Sequence, residues 1–139
     1  MSKISGSCLC GSIRYRSDAE PEFIAVCHCK GCQKSSGSAF AVLIGVDKES
    51  VIVEKGQLST YETHPQEGVT VRRSFCGSCG SPIFSEPSRD PDIILVKSGT
   101  LDDASWVQPE GHVWWVTAQP WVKENKDLPI YERGYTEST

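Results

Sequence analysis

Apolar and polar residues alternate over short stretches of the chain, and this pattern predicts a protein built mainly from short β-strands. Ile13 and Tyr15 alternate with polar neighbours, whereas residues 39–46 are apolar apart from Gly45 and predict a buried strand. Because Lys55-Gly56-Gln57 separates two strand-like segments, we expect a hairpin turn there. The further predicted strands are residues 23–27, 50–54, 58–62, 69–75, 92–97 and 113–116.

Helical periodicity is scarce, and the best helical candidate is a single turn at residues 31–35. The 12 glycines and 8 prolines predict frequent turns between the strands. No repeat, low-complexity tract or linker divides the 139 residues, so we expect a single domain over residues 1–139. A mainly β chain with short strands has a thin core, and metal cross-links would stabilise it.

Seven cysteines change this picture, because their number is odd and a full set of disulfides would leave one thiol over. No signal peptide or membrane-spanning run is visible, so we expect a cytoplasmic protein whose clustered cysteines are metal ligands or catalytic groups. The formal net charge is −4 with neutral cysteines, and zinc-bound thiolates would make it more negative. Such a chain would repel a phosphate backbone, which argues against nucleic acid as a partner, and no membrane partner is indicated.

The strongest metal signal is the pair Cys76 and Cys79, because two thiolates separated by two residues fit the tight turn of a structural zinc site. A closed zinc site needs four ligands, and Cys8 and Cys10 are the obvious partners for this pair. In an extended segment, residues two apart project to the same side, so both sulfurs could reach one ion. These four cysteines are therefore predicted to hold a structural zinc.

The remaining cysteines, Cys27, Cys29 and Cys32, have no fourth cysteine to complete their set. A catalytic zinc typically has three protein ligands and an open position, where a bound water or thiol loses its proton more easily. Two other interpretations stay open. One of the three histidines could close the site as a fourth ligand, although His28 is disfavoured because in an extended run it points away from its neighbours' sulfurs. Alternatively, Cys29 and Cys32 could form a redox pair.

Further motifs accompany the cysteines along the chain. The full set is Gly6-Ser7-Cys8-Leu9-Cys10-Gly11, Cys27-His28-Cys29-Lys30-Gly31-Cys32, Ser36-Gly37 with Phe40, Phe75-Cys76-Gly77-Ser78-Cys79-Gly80, Gly99-Thr100-Leu101-Asp102, His112-Val113-Trp114, Trp121 and Leu128-Pro129-Ile130-Tyr131-Glu132. With these motifs the chain resembles the glutathione-dependent formaldehyde-activating enzyme family, also called the centromere-protein-V/formaldehyde-activating domain. The resemblance spans residues 6–132, and its cysteine pattern is more specific than its tail motifs.

The resemblance implies a fold of twisted antiparallel sheets clasped by zinc, which is described as a β-tent. It implies two Zn²⁺ ions per chain, in agreement with the count of ligands. The ligands it implies are Cys8, Cys10, Cys76 and Cys79 for the structural ion and Cys27, Cys29 and Cys32 for the catalytic ion. The reaction it implies joins glutathione and formaldehyde into S-hydroxymethylglutathione, which is a carbon–sulfur lyase reaction in reverse.

Several residues near the open zinc are candidates for substrate handling. His28 is a candidate acid or base, and Phe40 and Trp114 are candidate walls of a substrate pocket. Lys30 and Lys34 flank the ligand loop and could attract a substrate that carries a carboxylate. The zinc could either hold a thiol as thiolate or polarise an aldehyde oxygen, and the sequence does not choose between the two.

These observations predict a zinc-dependent carbon–sulfur lyase that acts on a thiol–aldehyde adduct such as S-hydroxymethylglutathione. Its expected partner is a small-molecule thiol or aldehyde, and a homodimer is compatible with the sequence. Two alternatives remain: a non-catalytic zinc-binding interaction module, and a cysteine redox or metal-handling protein. A second zinc with an open position favours the enzyme, a histidine-closed zinc favours the module, and a reducible Cys29–Cys32 bond favours the redox protein.

Overall fold

Short strands make up most of the regular structure in this computed structural model, which describes residues 3–135. The strands are β1 (Ile4–Ser7), β2 (Arg14–Ser17), β3 (Phe23–Cys27), β4 (Ala41–Asp47), β5 (Val51–Lys55), β6 (Ser59–Gln66), β7 (Val69–Phe75), β8 (Pro82–Pro87), β9 (Ile93–Lys97) and β10 (Gly111–Val113). One short α-helix, α1 (Lys30–Ser36), follows β3, and 3-10 turns lie at Lys48–Ser50, Ser98–Thr100 and Trp115–Thr117. With 42% strand and 12% helix, the prediction of a mainly β fold with little helix is confirmed.

The strands form two sheets. The small sheet has the order β1-β2-β5, and the large sheet has the order β10-β3-β4-β9-β8-β7-β6. Neighbouring strands run antiparallel, except that β10 lies parallel to β3. Antiparallel pairing was expected, and the parallel pair has a consequence for the site: it lays His112 beside Val26 and Val113 beside Cys27.

The prediction of a hairpin turn at residues 55–57 is wrong. β5 pairs with β2 in the small sheet, whereas β6 pairs with β7 in the large sheet, so the turn carries the chain from one sheet to the other. Gly56 makes this change of direction possible with a φ of 86°. A methyl group at Gly56 would overlap the Ser12 carbonyl oxygen, so the turn is also pressed against the loop before β2.

Two buried apolar clusters form the core, and each of them contains one group of cysteines. The first cluster includes Cys8 and Cys76, and half-buried Cys79 packs against it. The second includes Cys27 and Cys32. Burial of apolar surface stabilises the fold by about 25 cal/mol per Å². Because the cysteines lie inside the two apolar clusters, the same packing holds them in position.

Tyr15 is the largest fully buried side chain of the first cluster. Its hydroxyl lies 2.6 Å from Thr100 Oγ1, and its ring packs edge-on against Phe84 at a centroid distance of 5.0 Å. Gly6 lies against the same group, because a methyl group at this position would overlap the Thr100 carbonyl oxygen and the Tyr15 hydroxyl. The small sheet therefore packs closely on the segment that follows β9.

The strand predicted at residues 113–116 was misplaced, because the observed strand covers Gly111–Val113 and shares only Val113 with the prediction. β10 ends at Val113, and Trp114 adopts a left-handed conformation with a φ of 58° before the 3-10 turn Trp115–Thr117. Strands β1 and β8 were not predicted. Among the described residues, none of the helices has the length and apolar character needed to cross a membrane.

Candidate functional site

The first pair of cysteines lies in a tight turn between β1 and β2. The Gly11 N–H donates to the Cys8 carbonyl at 3.1 Å, and the Cys8 N–H donates to the Ile13 carbonyl at 3.2 Å. Gly11 has a φ of 81°, a conformation that side chains with a Cβ rarely adopt. A turn, and not the extended segment expected from the sequence, brings Cys8 and Cys10 to the same side, with their sulfurs 3.6 Å apart.

The second pair lies in a similar turn between β7 and β8. The Gly80 N–H donates to the Cys76 carbonyl at 2.8 Å, and Gly80 has a φ of 78°. The Cys76 N–H donates to the Ser81 carbonyl at 3.0 Å, which repeats the contact between Cys8 and Ile13. The Ser81 hydroxyl and backbone stabilise the thiolate of Cys79 and lower its pKa to about 5. The turn therefore favours the form of sulfur that binds metals.

The two turns bring four sulfur atoms together. The sulfurs of Cys8, Cys10, Cys76 and Cys79 all lie within 4.8 Å of one another, and all four cysteines are free thiols. Four thiolate donors at such distances fit a tetrahedral zinc ion. This group, which we call the four-cysteine cluster, joins the loop of the small sheet to a loop of the large sheet.

The remaining three cysteines meet where β3 leads into α1. Cys27 is the last residue of β3, Cys29 caps the amino end of α1, and Cys32 lies within the helix. The Cys29 sulfur accepts the Cys32 N–H at 3.3 Å, so the ligand loop is held by its own backbone. The three sulfurs lie within 4.8 Å of one another and form the three-cysteine cluster. Three thiolates fit a zinc site that leaves one position for another ligand.

Electrostatics around the three-cysteine cluster favour a thiolate. Hydrogen bonds from Cys27 and Cys29 hold the pKa of Cys32 well below its usual value, and the positive charges of Lys97 and Arg73 lower it further. Burial opposes this shift, because Cys32 is only 4% exposed. Lys97 and Arg73 are therefore the positive charges that stabilise the thiolate of Cys32.

Within residues 3–135, no histidine or carboxylate joins the three sulfurs as a fourth donor. His28 follows Cys27 directly, yet its Nε2 lies 2.9 Å from His112 Nδ1. His64 lies on β6 beside Thr70, in another part of the large sheet. The structure therefore groups the three sulfurs without a fourth donor, and their role as zinc ligands stays a prediction.

The hydrogen bonds of His112 determine which ring nitrogens of the buried histidine pair carry hydrogen. The backbone N–H of Asn125 donates to His112 Nε2 at 3.1 Å, so this nitrogen must be the acceptor. His112 then carries its hydrogen on Nδ1 and donates to His28 Nε2. His28 in turn carries its hydrogen on Nδ1, which is buried and has no hydrogen-bond partner among the described residues. Burial keeps both rings neutral and lowers the pKa of His28 to about 4.

Helix α1 is tied to the segment after β10. Gln33 Nε2 donates to the His28 carbonyl at 2.7 Å and to the Thr117 carbonyl at 3.0 Å. Gln119 Nε2 completes the link by donating to Gln33 Oε1 at 2.6 Å. These bonds hold the loop that contains Cys29 against the turn that follows Trp114.

Phe40 and Trp114, the candidate walls of a substrate pocket, both lie in this region. The Phe40 ring centroid is 5.5 Å from that of His28. Trp114 packs against the apolar cluster that contains Cys27 and Cys32. The sequence therefore identified two aromatic residues close to the three-cysteine cluster, and their contact with a substrate stays a prediction.

A cavity of about 540 Å³ lies elsewhere, lined by Asp47, Asp90, Asp92 and neighbouring residues. None of its lining residues belongs to either cysteine cluster. A smaller cavity of about 160 Å³ is lined by Ser35 of α1 and by Arg73 and Lys97, the two cations that act on Cys32. No cysteine lines the smaller cavity either, so its link to the three-cysteine cluster is the charge of Arg73 and Lys97.

Comparison with known proteins agrees with this arrangement. The family model for glutathione-dependent formaldehyde-activating enzyme matches residues 3–117 of the chain. The chain belongs to this family. Membership in the glutathione-dependent formaldehyde-activating enzyme family supports an enzymatic function connected with formaldehyde and glutathione.

Structural comparison adds a relative for the fold of this family member. The crystal structure of a Rhodobacter sphaeroides protein superposes with a TM-score of 0.60 and 18% sequence identity, over 91% of this chain and 99% of the other. At that identity the likeness shows the fold alone. No curated protein sequence matches the chain significantly.

Sequence reasoning about this family member missed two parts of the site. It did not pair His112 with His28, and it assigned no role to Arg73 or Lys97. The cations proposed from the sequence, Lys30 and Lys34, are exposed on α1. The sequence did contain one indication of Lys97: this lysine ends an otherwise apolar strand, where a charged residue is unusual.

Proposed function

We propose that the three-cysteine cluster is the active site of a zinc-dependent carbon–sulfur lyase that acts on a thiol–aldehyde adduct. S-hydroxymethylglutathione is the adduct that family membership makes the first to test. The observation that carries the proposal is the incomplete donor set: three sulfurs within 4.8 Å of one another and no fourth protein donor among residues 3–135. A site meant only to stabilise the fold would be closed, as the four-cysteine cluster is.

The reaction is a reversible addition. In the direction of synthesis, a carbon–sulfur bond forms between the thiol sulfur and the aldehyde carbon, and the proton of the thiol ends on the aldehyde oxygen. In the lyase direction, the same bond breaks, and the hydroxyl proton returns to the sulfur. A zinc ion held by Cys27, Cys29 and Cys32 would supply a Lewis acid with a position available to substrate.

His28 supplies a hydrogen-bond donor beside this cluster. Its Nδ1–H is buried and unpartnered among the described residues, and His112 keeps it in the donating form. A buried donor without a partner costs free energy, which an oxygen of the substrate would recover. We assign His28 Nδ1–H to the aldehyde or hydroxyl oxygen, where negative charge develops during addition.

The residues around the cluster would hold its geometry and line the space for a substrate. Phe40 and Trp114 would form the apolar walls of the substrate site. Gln33 holds the ligand loop to the Thr117 turn, so the position of Cys29 does not depend on the substrate. We also propose the cytoplasm as the place of action, because seven free thiols require a reducing compartment.

A pair of matched substitutions tests the proposal. Cys29→Ser should remove one donor from the three-cysteine cluster, lower the rate of exchange between formaldehyde and S-hydroxymethylglutathione at least about 100-fold, and leave most of the stability intact. Cys76→Ser makes the same chemical change in the four-cysteine cluster and should lower the stability by several kcal/mol, on the order of 3 or more. Exchange is measured by NMR with ¹³C-formaldehyde, and stability by urea unfolding.

Three results would reject this assignment. If Cys29→Ser retains full activity with every thiol–aldehyde pair tested, the cluster is not catalytic. If Cys76→Ser keeps the unfolding midpoint of the wild type, the four-cysteine cluster is not structural. If the wild type has no activity and a reducible Cys29–Cys32 bond, the cysteine redox interpretation replaces the enzyme.

A further inference from the structure

The cavity of about 160 Å³ has a cationic wall whose positive charge exceeds what the three-cysteine cluster balances. Lys97 is the last residue of β9 and is only 8% exposed. Its Nζ has no hydrogen-bond partner within residues 3–135. Burying an ammonium group without such a partner is strongly unfavourable, so the position calls for an anion.

Arg73 of β7 provides a second cation on the same cavity. Its Nη1 donates to Ser35 Oγ at 3.3 Å and to Ser85 Oγ at 3.4 Å, and it makes no ion pair among the described residues. The Lys97 ammonium, the Arg73 guanidinium and these two serine hydroxyls therefore line one cavity, together with Ser74 and Tyr61. This set of donors suits the two oxygens of a carboxylate.

The cavity adjoins the three-cysteine cluster. A methyl group added at Gly31 would overlap Arg73 Nη2 and would lie 3.9 Å from Cys29 Sγ, so the guanidinium lies next to the ligand loop. Three thiolates and one divalent ion would carry a single negative charge, and the two cations of Arg73 and Lys97 exceed it by one. A monoanion entering this space would balance the charge.

Size limits what the cavity accepts. A volume of about 160 Å³ corresponds to about five water molecules, and it is below the range of pockets that enclose drug-sized ligands. The rest of the lining includes Phe75 and Pro82, which suit a short aliphatic stem. A carboxylate with two or three carbons fits, whereas a whole tripeptide does not.

We propose that this cavity binds a carboxylate group of the substrate, held by Lys97 and Arg73 beside the three-cysteine cluster. The inference rests on the proposed function, since it names a feature of the substrate for the same site. It replaces the earlier expectation that Lys30 and Lys34 attract the carboxylate.

Propionate, which has the carboxylate and no thiol, tests the cavity alone. Zinc-loaded protein labelled with ¹⁵N is titrated with propionate, propionamide and inorganic phosphate, and the amide shifts of Ser35, Ser85 and Lys97 are followed. Propionate should bind at least about tenfold more tightly than propionamide, because the amide carries no charge. Equal affinities would overturn the proposal, and so would tighter binding of phosphate, which would indicate a site for a free inorganic anion.

Matched lysine variants identify the residue responsible. Lys97→Met should weaken propionate binding about tenfold or more, whereas Lys34→Met removes the same charge from an exposed position and should change it less than about twofold. An equal effect of both variants would overturn the proposal. If Lys97→Met does not fold, Arg73→Gln carries the same expectation, because Arg73 is half-buried and glutamine removes the positive charge while keeping a shorter N–H donor.

Two thiols separate a failure of this inference from a failure of the proposed function. The reaction of formaldehyde with 2-mercaptoethanol requires the catalytic cluster alone, and 3-mercaptopropionate adds the carboxylate. The expected result is a kcat/KM about tenfold or more higher for 3-mercaptopropionate in the wild type, with this preference lost in Lys97→Met. If propionate binds as predicted and neither thiol reacts, the proposed function is wrong and the anion site stands. If both thiols react equally and propionate does not bind, the inference fails and the function stands.

Discussion

At the scale of single residues, the hydrogen bonds of the buried histidine pair determine where a proton is held. One backbone N–H, that of Asn125, occupies His112 Nε2 at 3.1 Å, and this contact determines the hydrogen on His28, the next ring along. The result is a buried donor at Nδ1 of His28, the residue between Cys27 and Cys29 in the chain. The motif around residues 27–32 indicated the cysteines from the sequence, but the tautomer depends on a contact with a residue 84 positions away.

The tautomer can be measured directly. Long-range ¹H–¹⁵N correlation spectra of the zinc-loaded protein should show His28 and His112 both neutral at pH 7, with hydrogen on Nδ1 in each ring. His112→Ala removes the donor to His28 Nε2 and should release His28 from this tautomer, while exposed His64 serves as an internal reference. A spectrum with hydrogen on His28 Nε2 in the wild type would contradict the role assigned to Nδ1–H.

At the scale of elements, the turns carry more of the site than the strands do. Cys8 and Cys76 occupy equivalent positions in two similar turns, because in each turn the cysteine N–H donates to a carbonyl later in the same turn. The sequence interpretation, in contrast, placed Cys8 in an extended segment. Strand β8 escaped prediction because it begins and ends with proline, and β1 because only one of its four residues is strongly apolar. Local sequence patterns therefore predicted where strands occur better than they predicted which strands pair. The hairpin wrongly predicted at residues 55–57 is an example.

Tyr15 of strand β2 should make the stability of the protein depend on pH. Burial raises the pKa of Tyr15 to about 12 from a usual value near 10, although its hydrogen bond with the Thr100 hydroxyl opposes the shift. A raised pKa in the folded protein favours the neutral phenol, so its contribution to stability is complete below about pH 10 and is lost as the pH rises towards about 12. Relative to Tyr15→Phe, the free energy of unfolding of the wild type should fall by about 1 kcal/mol between pH 9 and pH 11.

Urea unfolding of the two proteins across that range measures the difference. Tyr135, whose pKa is also raised to about 12, is present in both proteins and cancels. At neutral pH, Tyr15→Phe should be less stable by about 1 kcal/mol, since it loses the contact with Thr100 Oγ1. A difference that does not change between pH 9 and pH 11 would show that the Tyr15 hydroxyl is not buried as described.

At the scale of the whole molecule, the two cysteine clusters have different proposed roles, one structural and one catalytic. The four-cysteine cluster joins the loop between β1 and β2 to the loop between β7 and β8, which belong to different sheets. The three-cysteine cluster lies in the second apolar cluster, next to a cavity with unbalanced positive charge. Counting ligands along the sequence was sufficient to separate the clusters, because each group has its own spacing. The sequence interpretation did not join Arg73, Lys97 or the histidine pair to the site, since these residues come from segments far apart in the chain.

The zinc content and its sulfur coordination test the central claim most directly. We predict two zinc ions per chain, and zinc X-ray absorption should give an average of 3.5 sulfur donors per ion, because seven cysteine sulfurs are shared between two ions. Adding a thiol substrate should raise this average to 4 as the incomplete set gains a sulfur. One zinc per chain, or a histidine nitrogen bound directly to the second zinc with no response to thiol, would contradict the account.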